Sequence, residues 1–449
     1  MVKLFKRKIY SKLVEWKNRS NGETAILIEG ARRIGKTSVA KEFGKNEFSD
    51  YLLIDFSVAS SVVLSLFDDL FNIDIFFERL FLAFGIKPLD KGSLIIFDEI
   101  QFCPKARQAI KTLVNDGRYF YIETGSLVSI KENILSILIP SEEERIEMYP
   151  MDYEEFLWAL DLDFEAEVIR KHLDNGQPFD SNTHFKLMNT FRTYLAVGGM
   201  PKVVSKYVET KDYVAVDYEK KNIVALYEED LRKIDNRFGT ICYLIRKQMP
   251  SMLTKHSTRF LVSSVNERAD SVLFTNTLEK LIESKMVIPV FKCSDPSGGY
   301  VLTRDLSSFK LYFNDVGLFT SLVYANSGDN SLGIYQKLVL DKLHTNLGML
   351  YENACAQILT AKDYEPYYYS WYGICNNVSK NFEIDFLIYK DGKTIPFEVK
   401  SRNVSTKASL EEFKKKHRKI VKESYIVYPR VFKKDENLTY LPYYMLFAL

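Results

Sequence analysis

Long apolar runs are missing from this sequence. No segment approaches the ~20 consecutive apolar residues a membrane-spanning helix needs. The opening stretch, MVKLFKRKIYSKLVEW, has no apolar core of the kind a secretory signal carries. Cysteine is also scarce: Cys103, Cys242, Cys293, Cys355 and Cys375 are scattered and form no C-x-x-C pair. That spacing argues against a disulfide framework or a zinc site and for free thiols in a reducing compartment. Internal repeats and low-complexity linkers are absent. The net charge is only +2 over 449 residues, so overall charge neither demands nor excludes a polyanionic partner. Together these absences lead to the expectation of a soluble, cytoplasmic protein with no membrane partner.

The composition is that of a chain that buries cores, with 46% apolar and 27% charged residues. Its length suggests two to four domains. The small net charge hides an imbalance. Residues 400–449 hold 12 Lys/Arg against 5 Asp/Glu, so a basic C-terminal region follows a slightly acidic body. Such a region suits an anionic partner, and DNA is the candidate.

Short apolar runs at residues 24–28, 51–56, 93–97 and 119–122 read as buried parallel strands separated by helical stretches. This alternation predicts an α/β domain with a parallel sheet over residues 1–150. Residues 151–235 read as helical, with a Gly198-Gly199-Met200-Pro201 break that suggests a hinge in a lid. Helices followed by a small hairpin over 236–325 suggest a winged-helix unit. Its expected reading helix, 275–285, sets Lys280 and Lys285 against Glu279 and Glu283, a balance that also suits a protein scaffold. From about 335 a long helix is expected to lead to strands at 382–389 and 394–400. A basic helix at 410–422 and a strand at 424–428 should follow. These elements make a C-terminal domain over 335–449.

The first strand runs into Gly30-Ala31-Arg32-Arg33-Ile34-Gly35-Lys36-Thr37-Ser38, which fits G-x-x-x-x-G-K-[ST] at every fixed position. Its glycines let backbone N–H groups turn inward around phosphate oxygens, and the following helix points its positive end at the anion. Lys36 would charge-pair the β/γ-phosphates, and Thr37 would offer a hydroxyl to Mg²⁺. ATP and Mg²⁺ are therefore the expected ligands. The third strand ends in Asp98-Glu99: Asp98 is expected to hold the metal and Glu99 to orient and activate the attacking water. The fourth ends in Glu123-Thr124-Gly125-Ser126, where Thr124 or Ser126 could sense the γ-phosphate. Arg145, Arg192 and Arg232 are open candidates for the charge that steadies the γ-phosphate in the transition state.

Several Glu-x-Lys pairs occur, but only Glu398/Lys400 lies in a β pattern. Alternation puts Ile395, Phe397 and Val399 on one face and Glu398 and Lys400 on the other. The preceding strand alternates likewise, with Glu383 and Asp385 on its polar face. The short turn at 390–393 makes a hairpin that can gather Asp385, Glu398 and Lys400. Two carboxylates and a lysine suit Mg²⁺-dependent phosphodiester cleavage, and Glu352 could complete the metal shell. The bland alternative is an exposed hairpin face with paired charges. Next to it, residues 413–419 (Phe-Lys-Lys-Lys-His-Arg-Lys) form a basic run.

GARRIGKT, IIFDEIQFCP, YIETGS, ERIEMYPMDYEEFL, VGGMPKVV, LYFNDVGLFTSL, LYENACAQIL, FEIDFLIY and IPFEVKS follow one another in this order. The set resembles the prokaryotic AAA-like ATPases that carry a C-terminal domain of unknown function with a restriction-endonuclease-like, PD-(D/E)XK fold. The resemblance implies an ATPase core, a helical lid, a winged-helix unit and a nuclease-like domain. Glu123 departs from it, standing where a neutral residue is expected. Two functional readings follow. One is an ATPase that couples hydrolysis to a nuclease-like, DNA-binding domain. The other is a regulatory nucleotide switch whose nuclease-like domain is an inactive protein- or DNA-binding module. A scaffold without turnover is a third.

Overall fold

The computed structural model describes residues 4–125, 139–234, 279–297, 299–324, 331–343, 347–375, 378–402, 404 and 407–449. The chain divides into two compact units. One comprises Lys3–Tyr149 with Glu283–Lys285, and the other Pro150–Ile282 with Met286–Leu449.

The first unit is built on five strands: β1 (Ala25–Glu29), β2 (Tyr51–Asp55), β3 (Leu94–Asp98), β4 (Phe120–Gly125) and β5 (Glu143–Glu147). They pair in the order β2-β3-β4-β1-β5, all parallel. β1 and β3 are continuous apolar runs because helices cover both faces of a parallel sheet. The helices are α1 (Lys8–Ser20), α2 (Lys36–Glu47), α3 (Ser61–Ser65), α4 (Ile73–Phe84) and α5 (Pro104–Asp116). Local chemistry sets the ends of the later two. Asn72 caps α4 by accepting from Asp74 N–H and Ile75 N–H, and Gly85 closes it with φ +63°. Pro104 opens α5 and Gly117, at φ +71°, ends it. The core on one face joins Leu27, Ile54, Phe97 and Tyr121 to Phe76, Leu80, Ile110 and Leu113. Strand β5 is an addition to the sequence reading. Its sequence, Glu-Glu-Arg-Ile-Glu, has little apolar signal, and ion pairs described below hold it in place.

The second unit combines helices with an eight-stranded mixed sheet. Helices at Tyr153–Ala159, Asp163–Asp174, Ser181–Val197, Pro201–Thr210 and Tyr213–Ile234 cover the stretch expected to be a lid. They are built into this unit. Thr320 Oγ1 donates to Leu195 O at 2.7 Å, and Lys220 Nζ to Tyr335 Oη at 2.9 Å. The C-terminal turn, Tyr443–Ala448, is sunk among them, with the Tyr443 ring 4.2 Å from Tyr351 and 5.4 Å from Phe191. The Gly198-Gly199 break is a close contact. A Cβ on Gly199 would lie 1.9 Å from Met151 O, and one on Gly198 (φ +85°) would lie 2.3 Å from Asp315 Oδ1. Asp315 ties the junction by accepting from Gly199 N–H at 2.5 Å and Leu318 N–H at 2.9 Å.

The sheet contains β6 (Val287–Cys293), β7 (Arg304–Phe313), β8 (Tyr367–Cys375), β9 (Val378–Lys390), β10 (Lys393–Val399), β11 (Tyr425–Tyr428), β12 (Lys433–Asp435) and β13 (Leu438–Pro442). Their order is β12-β13-β11-β10-β9-β8-β6-β7. Here the structure departs from the sequence reading. The hairpin expected in a winged-helix unit, β6–β7, pairs with β8 through Phe291↔Tyr367 and Lys292↔Tyr368. A boundary between 325 and 335 therefore falls inside one sheet. Residues 236–278 of the winged-helix expectation lie outside the described residues. The long helix expected from 335 is instead two helices, Ser331–Val339 and Gly348–Ala361, followed by β8. The Tyr-Tyr-Tyr-Ser-Trp-Tyr run of β8 lacks polar alternation, since Tyr367, Tyr368 and Tyr369 are all buried. No helix among the described residues is long and apolar enough to cross a membrane.

Candidate nucleotide site and carboxylate cluster

The loop after β1 owes its shape to three backbone positions. Gly30 has φ +152°, and a Cβ there would stand 2.3 Å from Met148 O, so no side chain fits. Arg33 (φ +66°) and Gly35 (φ +97°) also take the left-handed region, and α2 begins directly at Lys36. Lys36 is 7% exposed and donates to Gly30 O at 2.9 Å and Ala31 O at 2.8 Å. Burial pushes its ammonium down to about 8, against the upward pull of the Glu99 and Asp98 charges.

Asp98 is the meeting point of three elements. Its Oδ1 accepts from Thr37 Oγ1, at the start of α2, at 2.8 Å. The same oxygen accepts from Thr124 Oγ1 at the end of β4. Thr124 Oγ1 in turn lies 3.5 Å from Glu99 N. Glu99 takes φ +54°, and its Oε2 accepts from Gln101 Nε2. The residues named from the phosphate-loop string and the acid-ended strand are thus brought together with Thr124. Ser126 lies outside the described residues. Mg²⁺ commonly takes one or two protein ligands and completes its shell with phosphates and water. The Thr37 hydroxyl and Asp98 carboxylate, already sharing one hydrogen bond, fit that requirement. A three-carboxylate cage is not needed here, and none exists among the described residues.

Two supports of this site come from outside the motifs. Arg7, just before α1, donates from Nη1 to Ile34 O at 2.7 Å and from Nη2 to Tyr149 O at 2.6 Å. It braces the phosphate loop. Its only sequence signal is the basic N-terminal stretch. The second support is a buried ion network. Arg107 of α5 makes a two-pronged bond to Glu143 of β5, both contacts 2.7 Å. Arg145 Nε donates to Glu143 Oε1 at 3.0 Å and its Nη1 lies 3.8 Å from Glu29. Glu123 is fully buried beside them. Burial first, and the Glu143 charge second, hold its carboxyl well above the usual range.

Among the arginine candidates, Arg145 is engaged by acids as described. Arg192 belongs to the second unit, where Nη2 donates to Asp341 Oδ2 at 2.8 Å. The side chain of Arg232 lies outside the described residues.

In the second unit the β9–β10 register pairs Phe386 with Phe397, so Asp385 comes opposite Glu398. Asp385 Oδ2 accepts from Val399 N–H at 2.8 Å. Lys400 Nζ lies 2.5 Å from Glu398 Oε1. Glu352 accepts from Tyr312 Oη at 3.0 Å, and burial followed by the charge of Asp385 raises its carboxyl. Asp385, Glu398, Lys400 and Glu352 are thus gathered. A residue absent from the sequence reading joins them. Lys310 of β7 is 1% exposed, with Nζ 2.8 Å from Glu383 Oε1 and 3.7 Å from Asp385 Oδ1. Its sequence position hides it, because β7 reads there as part of a separate unit. No set of three or more His, Cys, Asp or Glu side chains among the described residues is placed to hold a metal ion. Of the basic run, Phe413 is buried, Lys414 donates to Asn437 O and Lys416 to Tyr369 Oη, while Lys415, Arg418 and Lys419 face outward.

Comparisons with known proteins divide along the chain. Residues 22–157 match a family described as an AAA domain. Residues 188–330 match a domain of unknown function (DUF8612), and residues 347–446 another (DUF4143). The AAA match covers most of the first unit and runs past its end at Tyr149. No curated protein matches the sequence. Among solved structures, the chain is similar to C. elegans PCH-2 at 13% identity and TM-score 0.25, over 46% of this chain and 60% of that one. It thus spans less than two thirds of PCH-2. The Thermotoga maritima RuvB Holliday junction branch migration motor is similar at 12% identity and TM-score 0.29, over 63% of this chain and 89% of RuvB. Cdc6p from Pyrobaculum aerophilum is similar at 10% identity and TM-score 0.26, over 75% and 94%.

Proposed function

We propose that the first unit binds and hydrolyses ATP with Mg²⁺. The observation that carries this reading is the sharing of Asp98 Oδ1 by Thr37 and Thr124. It puts the phosphate loop, the acid-ended strand and the adjacent strand end on one centre, as phosphoryl transfer to water requires. Lys36 moves from two loop carbonyls onto the β/γ-phosphates. Thr37 and Asp98 would hold Mg²⁺, which would neutralise charge on the phosphates. Glu99, held by Gln101, orients the attacking water, and Thr124 keeps the backbone of Glu99 in register. The residues 30–38 form the phosphate cradle. Steady-state ATP turnover of the intact chain with and without Mg²⁺, for wild type and Lys36→Ala, tests the reading. Equal turnover in both proteins would sink it.

For the second unit, Lys310 favours the regulatory reading. An ammonium already lodged among the carboxylates supports a nuclease-like domain that serves as a binding module under nucleotide control and does not cut. DNA is the partner that the outward-facing Lys415, Arg418 and Lys419 suit. Plasmid integrity in the presence of Mn²⁺ tests this; nicking lost in Asp385→Asn would restore the cleaving alternative.

A further inference from the structure

Carboxylates at close quarters repel unless one takes up a proton or a cation, metal or side chain, sits among them; here Glu398 is buried while the Glu383 and Asp385 side chains are 28% and 17% exposed. The cluster of the second unit holds four acids, Glu352, Glu383, Asp385 and Glu398. Their oxygens are largely committed within the protein. Asp385 Oδ2 takes the Val399 N–H, and Asp385 Oδ1 and Glu383 Oε1 face the Lys310 ammonium. Glu398 Oε1 takes Lys400, and Glu352 Oε2 takes the Tyr312 hydroxyl. Glu398 Oε2 is buried with no hydrogen-bond partner, in a residue 5% exposed. A divalent ion needs several such oxygens at once, at roughly 2.0–2.6 Å. To gain Asp385 it would have to sit near the buried Lys310 ammonium, and two positive charges that close repel.

The route by which Lys310 arrives has a topological basis. Pairing of β6 to β8 is confined to Phe291↔Tyr367 and Lys292↔Tyr368, whereas Lys310 sits opposite Val290, beyond that contact. Its Nζ lies 5.2 Å from the Tyr368 ring, which adds a favourable cation–π contact.

We propose that Lys310 is the resident cation of this cluster, standing where a divalent ion would otherwise be held, so that the wild-type second unit binds no Mg²⁺ or Mn²⁺ there. This rests on the reading of the second unit as a non-cleaving module, but it is read in cation binding and not in ATP turnover. Failure of the ATPase reading would leave it untouched. The proposal also makes a positive statement. Removal of the ammonium alone, with every carboxylate kept, creates a divalent-cation site.

The experiment is a Mn²⁺ titration of the nucleotide-free full chain, followed by the electron spin resonance of free Mn²⁺. Wild type and Asp385→Asn should take up the same amount. Lys310→Met should take up one further Mn²⁺ per chain, and the Lys310→Met/Asp385→Asn double variant should lose it. Nucleotide binding and a cooperative melt would report that the variants are folded. If wild type binds a Mn²⁺ that Asp385→Asn removes, the proposal is overturned, and that comparison stands even where Lys310→Met does not fold. A folded Lys310→Met that gains no ion also overturns it.

Discussion

Thr37 Oγ1 donates to Asp98 Oδ1 at 2.8 Å, linking the first turn of α2 to the last residue of β3. This contact marks where Mg²⁺ would enter. Thr37→Ala should leave nucleotide affinity without metal nearly unchanged and remove most of the gain that Mg²⁺ brings. Titration of a fluorescent ATP analogue with and without Mg²⁺ separates the two effects.

Glu99 and Lys36 should part company on mutation. Lys36→Ala should abolish nucleotide binding, because the buried ammonium is the charge aimed into the loop. Glu99→Gln should bind ATP normally but turn over roughly 10²-fold more slowly, the scale for losing a positioned base. Unchanged turnover in the glutamine variant would take Glu99 out of this role.

Because burial holds Lys36 at about 8, nucleotide binding should be linked to protons. Phosphate oxygens favour the charged ammonium, so binding raises its pKa and takes up a proton where the free site has lost one. Affinity should be flat well below pH 8 and fall as pH rises through it. Calorimetry in two buffers of different ionisation enthalpy, on either side of that pH, measures the uptake directly. Identical heats on the alkaline side would argue against it.

The Arg107–Glu143–Glu123 network should reveal itself in stability. Arg107→Met strands buried Glu143 and should cost about 3–5 kcal/mol. Burial and the neighbouring Glu143 charge raise the Glu123 carboxyl in the fold above its ordinary value of 4.5. The sign follows. Protonated Glu123 contributes stability fully present below about pH 4.5, and this is lost as pH rises through the folded pKa. Glu123→Gln, neutral at every pH, should match wild type in acid and become relatively more stable as pH increases. Thermal melts of both proteins across pH give the comparison.

Gly199 should resist substitution because its space is taken. Gly199→Ala meets the Met151 backbone and should cost about 3 kcal/mol or more, at the upper end for overpacking. A Cβ on Gly176 would meet nothing within 4 Å, so Gly176→Ala carries only the strain of its φ of +63°. A small, equal effect at both positions in chemical denaturation would contradict the close-packed junction.

If the second unit binds DNA through its outward basic residues, replacing Lys415, Arg418 and Lys419 by glutamine should flatten the salt dependence of log K by about 2–3. Fluorescence anisotropy of a labelled duplex over a range of KCl checks this.

The candidate nucleotide site is legible in the sequence because its parts are local. A buried apolar run, a glycine pair at fixed spacing and a Lys-Thr at a helix start require only neighbouring residues to agree. The Asp98–Glu99 strand end can be read the same way, and so can the β9–β10 hairpin, whose alternation and short turn set which side chains share a face. What the sequence alone does not decide is which distant elements meet. Arg7 under the phosphate loop, Arg107 on Glu143 and Lys310 among the acids join residues 27, 36 and 73 or more positions apart. Charged residues like these look the same in a sequence whether solvated or buried. β5 and β8 escape a pattern reading because one lacks an apolar pattern and the other lacks polar alternation, and only their neighbours in the sheet make them strands. The Gly198-Gly199 pair is equally ambiguous alone, since glycine serves both flexible joints and tight contacts. Tertiary packing places Met151 and Asp315 where any side chain would have to go.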